Sequence, residues 1–156
     1  MDTLWREKLT DENPDYGKVV EIPASMLEQH GPGTMLITTP LDIQTMIQQI
    51  PDGKLLTVRG MMERLAVNAG TDTTCPMTTG IFLRIVAEVA ELDRTDGNPV
   101  APYWRVLKKG GKLNPKFPGG AVAQAKKLEE EGHEITRNEH GAPAKVANHD
   151  SSLIAI

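Results

Sequence analysis

Cysteine is nearly absent from this 156-residue chain: Cys75 is the only one. An intramolecular disulfide is therefore impossible, and a secreted fold held together by disulfides is excluded. Aromatic residues are scarce too, at 4% of the chain, so most of a core must be aliphatic. No run of about 18 apolar residues is present to span a membrane, and the acidic start (MDTLWREKLTDENPDYGK) lacks the apolar stretch of a signal peptide. A soluble cytoplasmic protein is the expectation. No phosphate-binding glycine loop occurs, because Gly110-Gly111 and Gly119-Gly120 read as turn and helix-start glycines. The four histidines have no metal-ligand spacing, and a lone cysteine offers no zinc pair. Neither a metal nor a cofactor is expected.

Positive charge is in deficit overall, at a net −4, which argues mildly against a nucleic-acid partner. Its placement argues the other way. From Arg105 to Lys127 the chain carries seven Lys and Arg and no carboxylate, which leaves −11 for the remainder. Such a segment is either a solvated lysine-rich face or a local phosphate-binding surface on an acidic protein.

Residues 1–36 mix Pro, Gly and charge and read as a weakly ordered arm, with Trp5 anchoring it to the body. "TTPLDIQTMIQQIPDGK" then reads as a helix. Thr39 is its cap, Pro40 its first residue, and Ile43, Met46, Ile47 and Ile50 its buried stripe. Thr57 caps a second helix with Val58, Met61, Met62 and Leu65 inward. A third starts near Pro76 and runs through "MTTGIFLRIVAEVAEL". It should bury Phe82, Ile85, Val86 and Val89 and leave Thr78, Thr79 and Arg84 nearer the outside.

Two short helices joined by a loop, followed by a strand and a glycine turn, predict a mainly α fold of the winged helix-turn-helix type. The small wing would be Trp104 to Leu107, a turn at Lys108 to Gly111, and a return near Lys112-Leu113. A last helix, "GGAVAQAKKLEEEG", should turn Val122, Ala125 and Leu128 inward and stop at Gly132. The expected organisation is the arm, a domain over 37–136, and a flexible tail over 137–156.

The order of short motifs carries more information than any one of them. "IPDGKLLTV" is followed by Asn98-Pro99, "PYWRV", "KKGGKL", Gly119-Gly120 and Glu131-Gly132-His133. This series, from Thr38 to His133, resembles the DNA-binding domain of the alkylguanine-DNA alkyltransferases, the suicide proteins that repair O6-alkylguanine. Their motif is Pro-Cys-His-Arg-Val. Here Tyr103 stands at the nucleophilic cysteine and Trp104 at the activating histidine. A tyrosine hydroxyl, with a reference pKa near ~10, is a poor nucleophile at neutral pH without an adjacent base. An indole donates one hydrogen bond and accepts no proton. Glu131 matches the orienting carboxylate but has no histidine to orient.

The resemblance therefore implies a non-catalytic protein, like the alkyltransferase-like members that lack the cysteine and bind alkylated guanine without repairing it. The implied partner is double-stranded DNA, with O6-alkylguanine as the lesion. The alternatives are plain duplex binding through the helix-turn-helix, without lesion recognition, and the same scaffold turned to protein or small-molecule binding. The candidate DNA-binding or pocket residues are Tyr103, Trp104, Arg105, Thr78, Thr79, Arg84, Lys108, Lys109, Asn98 and Glu131. Val58 falls where the family usually has a tyrosine, and Gly80 where its recognition helix inserts an arginine, a role that Arg84 could take one turn later. Period-2 alternation along a strand over 103–106 would turn Trp104 and Val106 into the core and leave Tyr103 and Arg105 facing a groove or pocket. Cys75, at a helix start with every histidine distant in sequence, reads as a structural thiol.

Overall fold

The computed structural model describes residues 2–154, with side chains from Leu4 onward. Met1 and the last two residues of the expected tail lie outside the described residues. The three central helices lie where caps and stripes predict them. Thr39 accepts the Asp42 amide at 3.1 Å and starts α3, Pro40–Gln48. Thr57 accepts the Gly60 amide at 3.0 Å and starts α4, Val58–Ala69. Pro76 opens α5, Pro76–Asp96, and Gly97 ends it in the left-handed conformation at φ 77°. Inside α4, a Cβ at Gly60 would lie 3.1 and 3.2 Å from side-chain atoms of Leu56 and Thr57, a tight contact. The helix gives up propensity so that its first turn can sit close to the strand before it.

Ile43, Ile47, Phe82 and Val86, each at most 2% exposed, join α3 to α5 at the centre of the core. Around them the described residues are mainly helical, with three small sheets. The arm expected over 1–36 carries α1, Asp2–Leu9, and β1, Val19–Glu21. It also carries the single-turn α2, Leu27–His30, and β2, Thr34–Leu36. Arg6 reaches Asp93 and Asp96 at 2.9 Å each, and Leu9 is buried, so α1 is fastened along α5. β1 pairs antiparallel with β2, which runs parallel to β4, Thr73–Thr74. Composition hides this order because strands of two or three residues have too little periodicity to read.

β3, Leu56–Thr57, pairs in parallel with β5, Val106–Leu107, so the "PYWRV" segment is tied to the start of α4. The expected wing is corrected in part. Tyr103–Arg105 form a 3₁₀ turn instead of strand, and the hairpin reduces to one bridge, Lys108 to Lys112. The tail supplies the missing neighbour. β6, Ile135–Arg137, and β7, Pro143–Val146, form a hairpin, and the Leu113 amide donates to the Ala144 carbonyl at 3.0 Å. Residues 152–154 then bond to Leu55 beside β3.

The last helix, α6, spans Gly120–Glu130 and buries Ala125 and Leu128 as expected, but Val122 is 69% exposed. Gln124 occupies the inward position instead, because it lies one helical turn from Leu128, whereas Val122 sits about 120° around the helix from Leu128 at 3.6 residues per turn. Among the described residues no helix is long and apolar enough to cross a membrane.

Candidate nucleic-acid interface

Pro102, with ψ 64°, turns the chain out of the extended path that an alternating strand would need. The 3₁₀ turn that follows puts both rings of the aromatic pair inside. Tyr103 is 1% exposed and Trp104 9%. The rings meet edge to face at 5.3 Å, and Phe117 meets Tyr103 the same way at 5.1 Å. The expectation that Tyr103 and Arg105 face a groove is overturned. Tyr103 is the more deeply buried ring, and Arg105 is turned onto Glu131.

Each polar atom of this cluster has a partner. The Tyr103 hydroxyl donates to Glu91 Oε2 at 2.6 Å. Trp104 Nε1 donates to Glu131 Oε2 at 3.0 Å, and Arg105 Nε and Nη2 donate to the same carboxylate at 2.9 and 2.7 Å. Arg105 Nη1 also donates to the Ile50 carbonyl at 2.6 Å, joining the cluster to the end of α3. From α6, Gln124 Nε2 donates to the Trp104 and Val106 carbonyls at 3.0 and 3.1 Å. The cations Arg94, Arg105 and Lys127 lie 5.5–5.9 Å from the Trp104 ring centre.

These contacts set the protonation states. Burial, reinforced by the hydrogen bond to the Glu91 carboxylate, pushes the Tyr103 hydroxyl far above its usual range. Burial also opposes charge on Glu91, but the Tyr103 hydroxyl, Arg94 and Lys127 outweigh it and hold that carboxyl below its usual range. Glu131 is likewise held low, burial being outweighed by Arg105, the Trp104 N–H and His133. A tyrosine kept protonated against a carboxylate is not a nucleophile.

The remaining candidates divide. Thr79 is fully buried and its hydroxyl donates to the Cys75 carbonyl at 2.7 Å, while the Thr78 hydroxyl turns to the same carbonyl at 3.4 Å. Thr79 is thus a correction: it seals the start of α5 instead of facing outward. Cys75 is half-buried at that start. Asn98 is exposed beyond the other end of α5, on the order of 20 Å along the axis from Arg84 at 1.5 Å per residue.

Arg84, Lys108 and Lys109 come together. They line a groove of about 880 Å³ between α1, the start of α4, the first half of α5 and the turn after β5. Val58 and Gly80 line it as well, so three of the positions singled out by the resemblance, Val58, Gly80 and Arg84, meet there, while Tyr103, Trp104, Glu131 and Asn98 do not line it. Lys8, Arg59 and Lys116 complete a rim of six cations, against Asp11 as the one carboxylate in the lining. The floor is apolar, with Met62, Met77 and Ile81 beside Trp5 and Tyr16. Met77 and Ile81 are 74% and 53% exposed, an unpartnered face of α5. Sequence reasoning followed the buried stripe of α5 and passed over this one. Its signal was present in Met77, Gly80, Ile81 and Arg84, spaced i, i+3, i+4, i+7.

No protein-family model and no curated protein matches the chain. Two solved structures do. S. pombe Atl1 in complex with damaged DNA containing O6-carboxymethylguanine is 19% identical, with a TM-score of 0.53 over 75% of this chain and 94% of that one. S. pombe ATL in complex with DNA is 20% identical, with a TM-score of 0.54 over the same shares. The likeness is one of fold.

Proposed function

We propose that this chain is a non-catalytic, alkyltransferase-like DNA-binding protein that holds duplex DNA against α5 and recognises alkylated guanine. The observation that carries the reading is the groove: six cations around an apolar floor, built on the open face of one helix. Phosphates meet the lysines and arginines, and the apolar face of α5 meets groove edges and bases. In this reading α4 and α5 act as a helix-turn-helix with α5 as the recognition helix. The Lys108–Lys112 turn is a short wing. Residues 37–136 are the DNA-binding unit, and the segments on either side brace it. The fold shared with proteins solved on DNA supports the reading, and so does the net charge of +7 between Arg105 and Lys127.

The test is titration of duplexes with and without one O6-methylguanine across a salt series. The lesion duplex should bind more tightly, and both affinities should fall as salt rises. Equal affinity for the two duplexes would remove lesion recognition, and no salt-dependent binding to either would sink the reading. Replacing Lys108 and Lys109 together with alanine should weaken binding to any duplex and make the salt slope shallower by roughly two phosphate contacts. A variant with unaltered slope would show that the turn does not touch DNA.

Methyl transfer is not expected. Tyr103 is held protonated, with Trp104 beside it where a base is needed. Incubation with DNA labelled on the O6-methyl group should leave no covalent label, whereas stoichiometric label on Tyr103 or Cys75 would overturn the non-catalytic assignment.

A further inference from the structure

The basic groove has an aromatic wall that does not come from the helix-turn-helix. Trp5 stands on α1, half-buried against the core and lining the same groove as the open face of α5. Lys8 lies 4.9 Å and Arg84 5.6 Å from its ring centre. Two ion pairs from Arg6 to α5 keep the helix in place. Gly80, Met77 and Ile81 form an exposed face of α5 that lines the same groove, and at Gly80 a Cβ would meet nothing within 4 Å. An aromatic ring, an open apolar helix face in the same groove and cations around them together fit an unstacked nucleobase with its phosphates.

We infer that Trp5 is a stacking platform for an unpaired or extruded DNA base, and that α1 thereby sets which DNA this protein prefers. The inference rests on the DNA-binding reading and deepens it. Stacking at Tyr103 or Trp104 is closed off, because the two rings are 1% and 9% exposed and pack on each other. At Trp5 the ring is engaged by two side chains that are both exposed at the surface. An exposed cation–π contact is weaker than a base stack. A base can therefore displace Lys8 or Arg84 from the ring, and the freed cation can pair with the phosphate beside it. A base already out of its pair avoids the cost of opening the duplex. The preferred DNA is thus one with a bulged, mismatched or otherwise unpaired base.

The experiment compares a short fully paired duplex with the same duplex carrying one bulged base, using the whole chain at fixed salt. The bulged duplex should bind roughly 5- to 150-fold more tightly, the span of one base–aromatic stack. Tryptophan fluorescence should be quenched on binding it. Trp104 is the only other tryptophan and is buried, so the signal belongs to Trp5. Trp5→Leu keeps apolar packing on α5 but has no π face. It should bring the ratio of bulged to paired affinity down to about one, and the ratio is the readout because Trp5 also lines the groove that holds paired DNA. Trp5→Phe should keep most of the preference and lose the fluorescence change. Equal wild-type affinity for the two duplexes overturns the assignment, and so does a preference that persists in Trp5→Leu. If neither duplex binds at low salt, the DNA-binding reading itself has failed, a result distinct from binding without preference.

Discussion

Trp104→Ala should lower the stability of the protein by about 3–5 kcal/mol, the usual cost of removing a large aromatic from a core. The ring is 9% exposed, meets Tyr103 edge to face and has three cations around it. Its removal opens a cavity and takes one donor from Glu131 Oε2, which keeps its hydrogen bonds from Arg105. For a domain of this size 1 kcal/mol corresponds to ~2–4 °C, so the melting temperature should fall by roughly 6–20 °C. Below that temperature DNA binding should be unchanged, because Trp104 does not line the basic groove. Trp104→Phe separates packing from hydrogen bonding: it restores most of the ring volume but not the N–H, and should recover most of the loss. A stable Trp104→Ala variant that no longer binds DNA would place the ring in the interface after all.

The helices that build the groove were legible in the sequence because their signals are local. Thr39, Thr57 and Pro76 act within one turn of themselves, and the structure uses all three as caps and first residue, although α5 runs on to Asp96, beyond the expected run through Leu92. Arg84, Lys108 and Lys109 were legible as a charge pattern. The orientation of the aromatic pair was not, because partners far away in the chain decide it. Glu91 lies 12 residues from Tyr103 and Glu131 lies 27 from Trp104. Alternation assumes a strand, and the turn at Pro102 overrides that local preference. Val122 failed for a related reason. Gln124 is polar and absent from the expected inward face, yet it is buried because two backbone carbonyls and the Asn114 amide satisfy it. The N-terminal arm gains its order from Arg6, whose carboxylate partners lie 87 and 90 residues away. No window of sequence contains that contact.

Glu131→Gln should have the second large effect, because it leaves the Arg105 guanidinium without a counter-charge where that side chain is only 13% exposed. Removing one member of a buried pair costs ~3–5 kcal/mol, most of it the penalty of the charge left behind. The Gln oxygen can still accept from Trp104, so the loss should fall on Arg105 and on the end of α3 that it holds through the Ile50 carbonyl. The effect should depend on pH in a definite sense. Glu131 titrates below its ordinary value in the folded protein. Its contribution is therefore fully present above the unfolded-state pKa of ~4.3 and is lost as pH falls through the lower folded value. Urea unfolding at neutral pH should show a wide gap between wild type and Glu131→Gln. As pH falls below the unfolded-state value the gap should narrow, because the unfolded carboxyl is then protonated and the folded one must be held ionised. Glu91 is also held low and remains in both proteins, so it gives the two the same residual acid sensitivity. Arg105→Met in the Glu131→Gln background should recover part of the loss, since an apolar side chain of similar length leaves no buried charge. A gap of the same size above and below that value would mean that Glu131 acts through shape and hydrogen bonding, with its charge contributing nothing to stability.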